Sequence, residues 1–229
     1  MTGGNGTSAK DSASSNRRAR SLNVDSAVRD RYSSAAAAPE QALCCPVNYD
    51  ARYLEVIPDE VIERDYGCGD PSQHVQPGDV VLDLGSGGGK ICFICAQIVG
   101  PNGRVIGIDC NDEMLVLARR HRPTVAERIG YDNVEFRKGR IQDLKLDLDQ
   151  LEAHLAAHPV TDSTAWLHAH EIAESLRESS PLVADESVDV VISNCAQPGE
   201  RRPSSRTVRR GAPRPSARRP RGHQRHRLR

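Results

Sequence analysis

Residues 80–89 read Val-Val-Leu-Asp-Leu-Gly-Ser-Gly-Gly-Gly, and this stretch decides the fold. The apolar run Val80–Leu84 predicts a short strand of a parallel sheet that is buried on both faces. The glycines that follow predict a tight turn whose backbone a ligand can approach closely. The apolar segment Lys90–Val99 then predicts a helix. A strand, a glycine-rich turn and a helix in this order are typical of nucleotide-binding α/β folds.

The same alternation continues outward along the chain. Residues Arg104–Asp109 predict a second strand, and Asn111–Arg122 a second helix. Third and fourth strands are predicted at Val134–Arg137 and Val188–Ser193. Strands that alternate with helices indicate a parallel sheet, for which we expect the strand order 3-2-1-4.

Composition divides the chain into four segments. They are a disordered tail at 1–23, a helical and loop segment at 24–76, a compact domain at 77–195, and a disordered Arg/Pro-rich tail at 196–229. Within the compact domain, residues 144–187 are long and polar with helical spacing, so we expect a helical insertion there.

The net charge of zero averages two unlike parts. Residues 196–229 contain twelve Arg and one acid, Glu200, so the rest of the chain carries a charge of −11. Clustered Arg can neutralise nucleic-acid phosphates. This tail has neither Lys nor aromatic residues, and we therefore do not expect a nucleic-acid partner.

The apolar pattern argues against a membrane protein, because no stretch reaches the roughly 18 to 20 apolar residues of a membrane-spanning helix. No apolar segment of a secretory signal follows Arg17, Arg18 and Arg20. We expect a cytoplasmic protein whose seven cysteines, an odd number, are reduced thiols. The pair Cys92 and Cys95 has no second pair at zinc spacing, which favours packing over metal binding.

Two acids accompany the glycine run. Asp83 lies on the strand directly before it, and Asp109 ends the second strand, where a carboxylate can accept hydrogen bonds from both ribose hydroxyls. Cys110 follows Asp109 and either borders a nucleotide or packs. The run Gly-Ser-Gly-Gly-Gly departs from the GxGxxG spacing of dinucleotide sites, which disfavours an NAD(P)-dependent oxidoreductase.

The glycine motif at 83–89 together with Gly-Ile-Asp-Cys-Asn-Asp-Glu-Met-Leu at 107–115 resembles the class I S-adenosylmethionine-dependent methyltransferases. The resemblance implies a Rossmann-like, three-layer α/β/α fold with S-adenosylmethionine as cofactor. It places the strand-one acid near the methionine end of the cofactor, the strand-two acid on the ribose, and residues 139–142 beside the adenine. The implied cofactor-binding residues are Asp83, Gly85, Ser86, Gly87, Gly89, Asp109, Cys110, Arg140, Ile141 and Asn194.

A narrower resemblance rests on Asp-Tyr-Gly-Cys-Gly at 65–69 and Val-Ile-Ser-Asn-Cys at 191–195, which are similar to arsenite methyltransferases. This resemblance implies that Cys68 and Cys195 bind trivalent arsenic as thiolates, with either Cys44 or Cys45 as a further ligand. Thiolates are the soft ligands that such a centre prefers. The implied substrate is arsenite or its thiol conjugate, and a thiol reductant is the expected partner. The sequence does not determine an oligomeric state.

The resemblance ends after Cys195. When the codons possible for residues 196–201 and 222–229 are read one nucleotide later, they permit the Asn-Leu and Val-Ile-Ser-Asp-Ile motifs of the family. We therefore interpret 196–229 as a frameshift product. The domain would then be incomplete at its C-terminal end, and the fourth strand would be an exposed edge. With the substrate cover missing, the sequence leaves open whether this chain is active.

Two further functions stay open from the residues. One is a methyltransferase for a small organic acceptor, in which the cysteines are structural. The other is a nucleic-acid-binding protein that uses the Arg-rich tail.

Overall fold

The structure is a computed structural model that describes residues 49–65, 69–194 and the backbone of 205–209. The helices are α1 (Ala51–Leu54), α2 (Asp59–Glu63), α3 (Lys90–Val99), α4 (Asp112–Ile129), α5 (Leu148–Ala157) and α6 (Ser163–Ser179), with a 3-10 turn at Pro71–His74. The strands are β1 (Val80–Leu84), β2 (Arg104–Asp109), β3 (Val134–Lys138), β4 (Val190–Asn194) and β5 (Ser205–Arg209). The tail predicted at 1–23 and the cysteines Cys44, Cys45, Cys68 and Cys195 lie outside the described residues.

A single sheet with the strand order β3-β2-β1-β4-β5 organises the domain. Strands β1 to β4 are parallel, which confirms the predicted α/β class and the order 3-2-1-4. Asp83 of β1 is paired with Gly107 on one side and with Ile192 on the other. The carboxyl ends of β1, β2 and β4 consequently meet at one edge of the sheet, where open α/β sheets bind their ligands.

Apolar side chains on both faces of the sheet form the core. On one face, α3 and α4 pack on a buried cluster that includes Val81, Val105 and Val190. On the other face, Leu82 and its neighbours pack against the segment Leu182–Val183. This two-sided burial explains why β1 is an almost continuous apolar run.

Helix α4 is longer than predicted. Asn111 caps it, since its side chain accepts a hydrogen bond from the Met114 N–H at 3.1 Å. The prediction ended this helix at Arg122, but the structure continues it through Pro123 to Ile129. Proline removes one helical hydrogen bond, and the burial of Val125 against the core offsets this loss.

The predicted insertion at 144–187 contains the helices α5 and α6. Helix α5 has no buried residue, and α6 buries Ala173 alone. Arg177 of α6 donates to Asp143 at 2.9 Å and ties the insertion to the loop that follows β3. In the described residues, no helix has the length and apolar composition required to cross a membrane.

The tail differs from the prediction at one place. We expected no strand in 196–229 and an exposed edge at the fourth strand, yet Ser205–Arg209 pair antiparallel with β4. Val191 of β4 is in register with Val208, and Ile192 with Thr207. Without β5, the backbone groups along this edge of β4 would be unpaired, and such an edge readily pairs with a further strand. Thr207 and Val208 also have high strand propensity.

Candidate cofactor-binding site

The loop Gly85–Gly89 joins β1 to α3 and is docked on the end of β2. The N–H groups of Gly85 and Ser86 both donate to the Ile108 carbonyl, at 2.8 and 2.9 Å. The Gly87 N–H donates to the Asp109 carboxylate at 2.8 Å. These bonds hold the loop in one conformation above the carboxyl edge of the sheet. The same bonds occupy backbone N–H groups of the loop that the sequence alone would leave free to bind a ligand.

Glycine stands at two positions of the loop for different physical reasons. Gly87 has φ +53°, and a Cβ there would meet no atom within 4 Å, so the space beside it is open. Gly89 has φ +92°, and a Cβ there would lie 2.6 Å from Cζ of Phe136. Gly87 therefore faces the open site, whereas glycine at position 89 is required by backbone conformation and packing.

Asp109 stands at the end of β2 beside the loop. One carboxylate oxygen accepts the Gly87 N–H, and the other accepts the Asn111 N–H at 2.9 Å. Burial raises the pKa of Asp109, and these backbone donors oppose that effect. Because each carboxylate oxygen has two lone pairs, Asp109 can still accept hydrogen bonds from a ribose.

Asp83 is buried beneath the loop, with 2% of its surface exposed. The Cys92 thiol of α3 donates to its Oδ2 at 3.3 Å. Burial is the main cause that raises the pKa of Asp83 to about 7; the hydrogen bond from Cys92 opposes it, and the neighbouring Asp65 and Asp109 add to it. Burial also holds the pKa of Cys92 well above its ordinary value, so this thiol is a neutral donor.

Among the residues that the structure describes, three buried polar atoms at this edge have no hydrogen-bond partner: Asp83 Oδ1, Ser86 Oγ and Asn194 Oδ1. Buried polar groups are normally satisfied, so each of these exceptions needs an explanation. S-adenosylmethionine carries an ammonium group and ribose hydroxyls, which are donors for carboxylate and amide oxygens. The open space at Gly87, the unsatisfied oxygens and the position of Asp109 fit this cofactor.

The turn after β3 borders Asp109 from the other side. The Gly139 N–H donates to the Asp109 carbonyl at 2.9 Å. Arg140 is exposed, and Ile141 is 45% exposed, which is unusual for a large apolar residue. Cys110 is also exposed. Cys110 directly follows Asp109, and Arg140 and Ile141 directly follow Gly139, so the hydrogen bond between Gly139 and Asp109 brings these two parts of the chain together.

Sequence reasoning missed the contacts at both ends of segment 65–69. Lys90, the first residue of α3, forms an ion pair with Asp65. The Gly69 carbonyl accepts the Tyr49 hydroxyl at 2.8 Å and the Asn194 amide at 3.0 Å. In the sequence, the one sign that Lys90 belongs to this site is that it directly follows the glycine run.

The remaining cysteines of the described chain lie in the core. Cys92 and Cys95 are fully buried among apolar neighbours on α3. Within residues 49–65 and 69–194, no three His, Cys, Asp or Glu side chains are placed to hold a metal ion.

Comparison with known proteins points to one chemistry. Residues 76–178 match the family model described as a methyltransferase domain. The chain is 46% identical over 91 residues to an arsenite methyltransferase of Aquipseudomonas alcaligenes, which covers 40% of this chain and 26% of that protein. It is 38% identical over 151 residues to the arsenite methyltransferase of Halobacterium salinarum, covering 65% of this chain and 28% of the relative.

Other methyltransferases match over a shorter region. A demethylmenaquinone methyltransferase of Symbiobacterium thermophilum is 37% identical over 71 residues, covering 31% of this chain and 27% of that protein. The chain spans between 26% and 28% of the length of these three relatives. The fold, the glycine site and these similarities together show that the chain carries a methyltransferase domain and is arsenite methyltransferase-like over the residues that match.

Proposed function

We propose that this chain binds S-adenosylmethionine at the glycine loop and transfers its methyl group to trivalent arsenic. In this proposal Cys68 and Cys195, with either Cys44 or Cys45, hold arsenite or its thiol conjugate, and a thiol reductant keeps them reduced. Similarity to two arsenite methyltransferases supports the choice of acceptor.

One observation carries the proposal. The Asn194 amide donates to the Gly69 carbonyl at 3.0 Å. Gly69 follows Cys68 in the chain and Asn194 precedes Cys195, and neighbouring Cα atoms lie only about 3.8 Å apart. The Ser193 hydroxyl also donates to the Leu84 carbonyl at 3.0 Å, at the start of the glycine loop. These bonds support a meeting of the two cysteine segments beside the cofactor.

The chemistry needs few groups. S-adenosylmethionine supplies an electrophilic methyl on a sulfonium. Three thiolates would leave the arsenic lone pair to form the arsenic–carbon bond, while the electrons of the carbon–sulfur bond stay on the cofactor sulfur. No proton moves in this step, so the chain needs no general base. Its residues instead hold the two reactants in line.

A second candidate is a methyltransferase for a small organic acceptor with structural cysteines. Similarity to a demethylmenaquinone methyltransferase favours it. The two candidates share the cofactor site and differ in what the cysteines do.

Arsenite titration separates them. We expect the full chain to bind arsenite with micromolar affinity in a reducing buffer. The substitutions Cys68→Ser and Cys195→Ser should each weaken binding at least tenfold, because each removes one soft ligand. Cys95→Ala, which alters a buried thiol of α3, is the matched control and should bind as the wild type does. Equal binding by all four proteins would refute the arsenic site and favour the organic acceptor.

A further inference from the structure

Asp83 is a buried acid at the cofactor site that the proposed methyl transfer does not use. Its Oδ1 accepts no hydrogen bond from any described residue, although only 2% of the residue's surface is exposed. We propose that Asp83 is protonated in the ligand-free protein and releases this proton on pairing with the ammonium group of S-adenosylmethionine, which makes cofactor binding stronger as pH rises. The inference concerns the cofactor site alone and holds whichever acceptor is methylated.

The thiols of α3 do little to stabilise a charged carboxylate. Oδ2 of Asp83 accepts one hydrogen bond, from the Cys92 thiol at 3.3 Å, and a thiol is a weak donor. Cys95 is neutral as well, because burial holds its pKa well above the ordinary value. Burial is the largest cause that raises the pKa of Asp83 to about 7, and the Cys92 hydrogen bond opposes it only in part.

The charged neighbours of Asp83 act in the same direction as burial. Asp65 and Asp109 both raise its pKa, because a further negative charge nearby is unfavourable. Lys90 is the one buried cation among the described residues, but its ammonium is paired with Asp65. The phenol of Tyr49 interacts electrostatically with Asp83, and burial keeps this phenol neutral by raising its pKa far above the ordinary value. The described residues therefore leave the charged form of Asp83 without a cationic partner.

The missing partner matches the ligand. An ammonium group stays protonated below the ordinary α-amino pKa of about 8. Hydrogen-bonded to Oδ1, it would supply Asp83 with both a donor and an opposite charge, and each of these lowers the pKa of a carboxyl group. The carboxyl O–H bond then breaks, its proton goes to the solvent, and the carboxylate pairs with the ammonium.

The sign of the pH dependence follows from this exchange. The ligand-free protein binds more protons than the complex, so the association constant rises with pH until Asp83 is ionised without ligand. With a pKa of about 7 before binding and of about 5 in the complex, the affinity should rise about tenfold between pH 5.5 and pH 7.0.

Calorimetric titration with S-adenosylmethionine in two buffers of different ionisation enthalpy counts this proton. At pH 7.0 the wild type should release about 0.5 proton more than Asp83→Asn, which keeps the shape of the neutral acid and has no proton to release. The affinity of Asp83→Asn should change less than threefold between pH 5.5 and pH 7.0. Asp132→Asn, at an exposed acid paired with Arg122, is the matched control and should behave as the wild type does. Equal proton release by the wild type and Asp83→Asn would overturn the proposal.

Two substitutions of Cys92 cover the case in which Asp83→Asn binds too weakly to titrate. Cys92→Ser replaces the thiol by a stronger donor, which lowers the pKa of Asp83 before binding and should reduce proton release at pH 7.0. Cys92→Ala removes the donor, raises that pKa and should increase proton release. Proton release that is the same in both variants would show that the proton does not come from Asp83.

S-adenosylhomocysteine tests which group of the ligand displaces the proton. It keeps the ammonium and lacks the sulfonium charge, so the wild type should release the same amount of proton on binding it. Release with S-adenosylmethionine alone would contradict the pairing of Asp83 with the ammonium. Arsenite titration reports on the acceptor separately, so a failure of the arsenic site leaves this result unchanged.

Discussion

Asp83 is a buried carboxyl whose one hydrogen bond in the described structure comes from a neutral thiol. A thiol is a weak donor, so little compensates for the loss of water around the charged form. Burial therefore raises the pKa of Asp83 to about 7. The ligand-free protein holds this proton at a pH where an unfolded chain has released it.

The sign of the pH dependence follows from this difference. Between the ordinary pKa of Asp, about 4, and the folded value, the folded state binds more protons, so the free energy of unfolding falls as pH rises. Asp83→Asn mimics the neutral acid and removes this dependence. Between pH 5 and pH 8, urea denaturation should show the variant gaining about 2 to 3 kcal/mol relative to wild type. Parallel stability curves for the two proteins would contradict the assignment.

The glycine loop offers a matched pair of substitutions. Gly89→Ala forces a Cβ against Phe136 at φ +92°, and we expect a loss of about 3 kcal/mol or more in the free energy of unfolding. Gly87→Ala meets open space at φ +53° and should lose only about 1 kcal/mol. Gly87→Ala should nevertheless weaken S-adenosylmethionine binding, because its methyl group enters the site. Chemical denaturation and cofactor titration check both effects, and equal stability losses would be inconsistent with this geometry.

At the scale of elements, local patterns predicted the centre of the domain well. The bounds of β1, α3 and β2 agree with the sequence prediction, because apolar runs there are interrupted sharply by glycine or charge. Helix α4 was predicted too short because tertiary packing, which the sequence pattern does not reveal, carries it past Pro123.

Contacts between distant residues were the part that local patterns could not predict. The thiol of Cys92 reaches Asp83 across the loop, and Asn194 reaches Gly69 over 125 residues of sequence. Such contacts depend on how strands and helices are arranged in space. The sequence therefore identified Asp83, Asp109 and the glycines as candidates, but it did not predict that Lys90 would pair with Asp65 or that Tyr49 would bond Gly69.

Strand β5 is an element whose contribution can be measured directly. Deleting residues 205–229 should expose the edge of β4, lower the free energy of unfolding and increase aggregation, since unpaired strand edges template association. Deleting only 210–229 keeps β5 and serves as the control. Denaturation and light scattering should separate the two proteins clearly. Identical behaviour would show that pairing of β5 with β4 contributes nothing to stability.

At the scale of the whole molecule, the parallel sheet brings the ends of β1, β2 and β4 together, and the glycine loop closes over that edge. The insertion with α5 and α6 lies beside β3 and contributes little to the core. Asp65 contacts Lys90 at the start of α3, and Gly69 contacts Asn194 at the end of β4. The candidate cofactor site lies at this sheet edge, and it is the part of the account that the described residues define most fully.

Calorimetric titration with S-adenosylmethionine tests this central claim most directly. The full chain should bind one equivalent in a saturable manner. Asp109→Ala should bind at least tenfold more weakly, because it removes the ribose acceptor and the Gly87 N–H contact. Asp132→Ala, which removes an exposed acid paired with Arg122, should bind as the wild type does. No saturable binding by the wild type, or equal affinity in Asp109→Ala, would contradict the account.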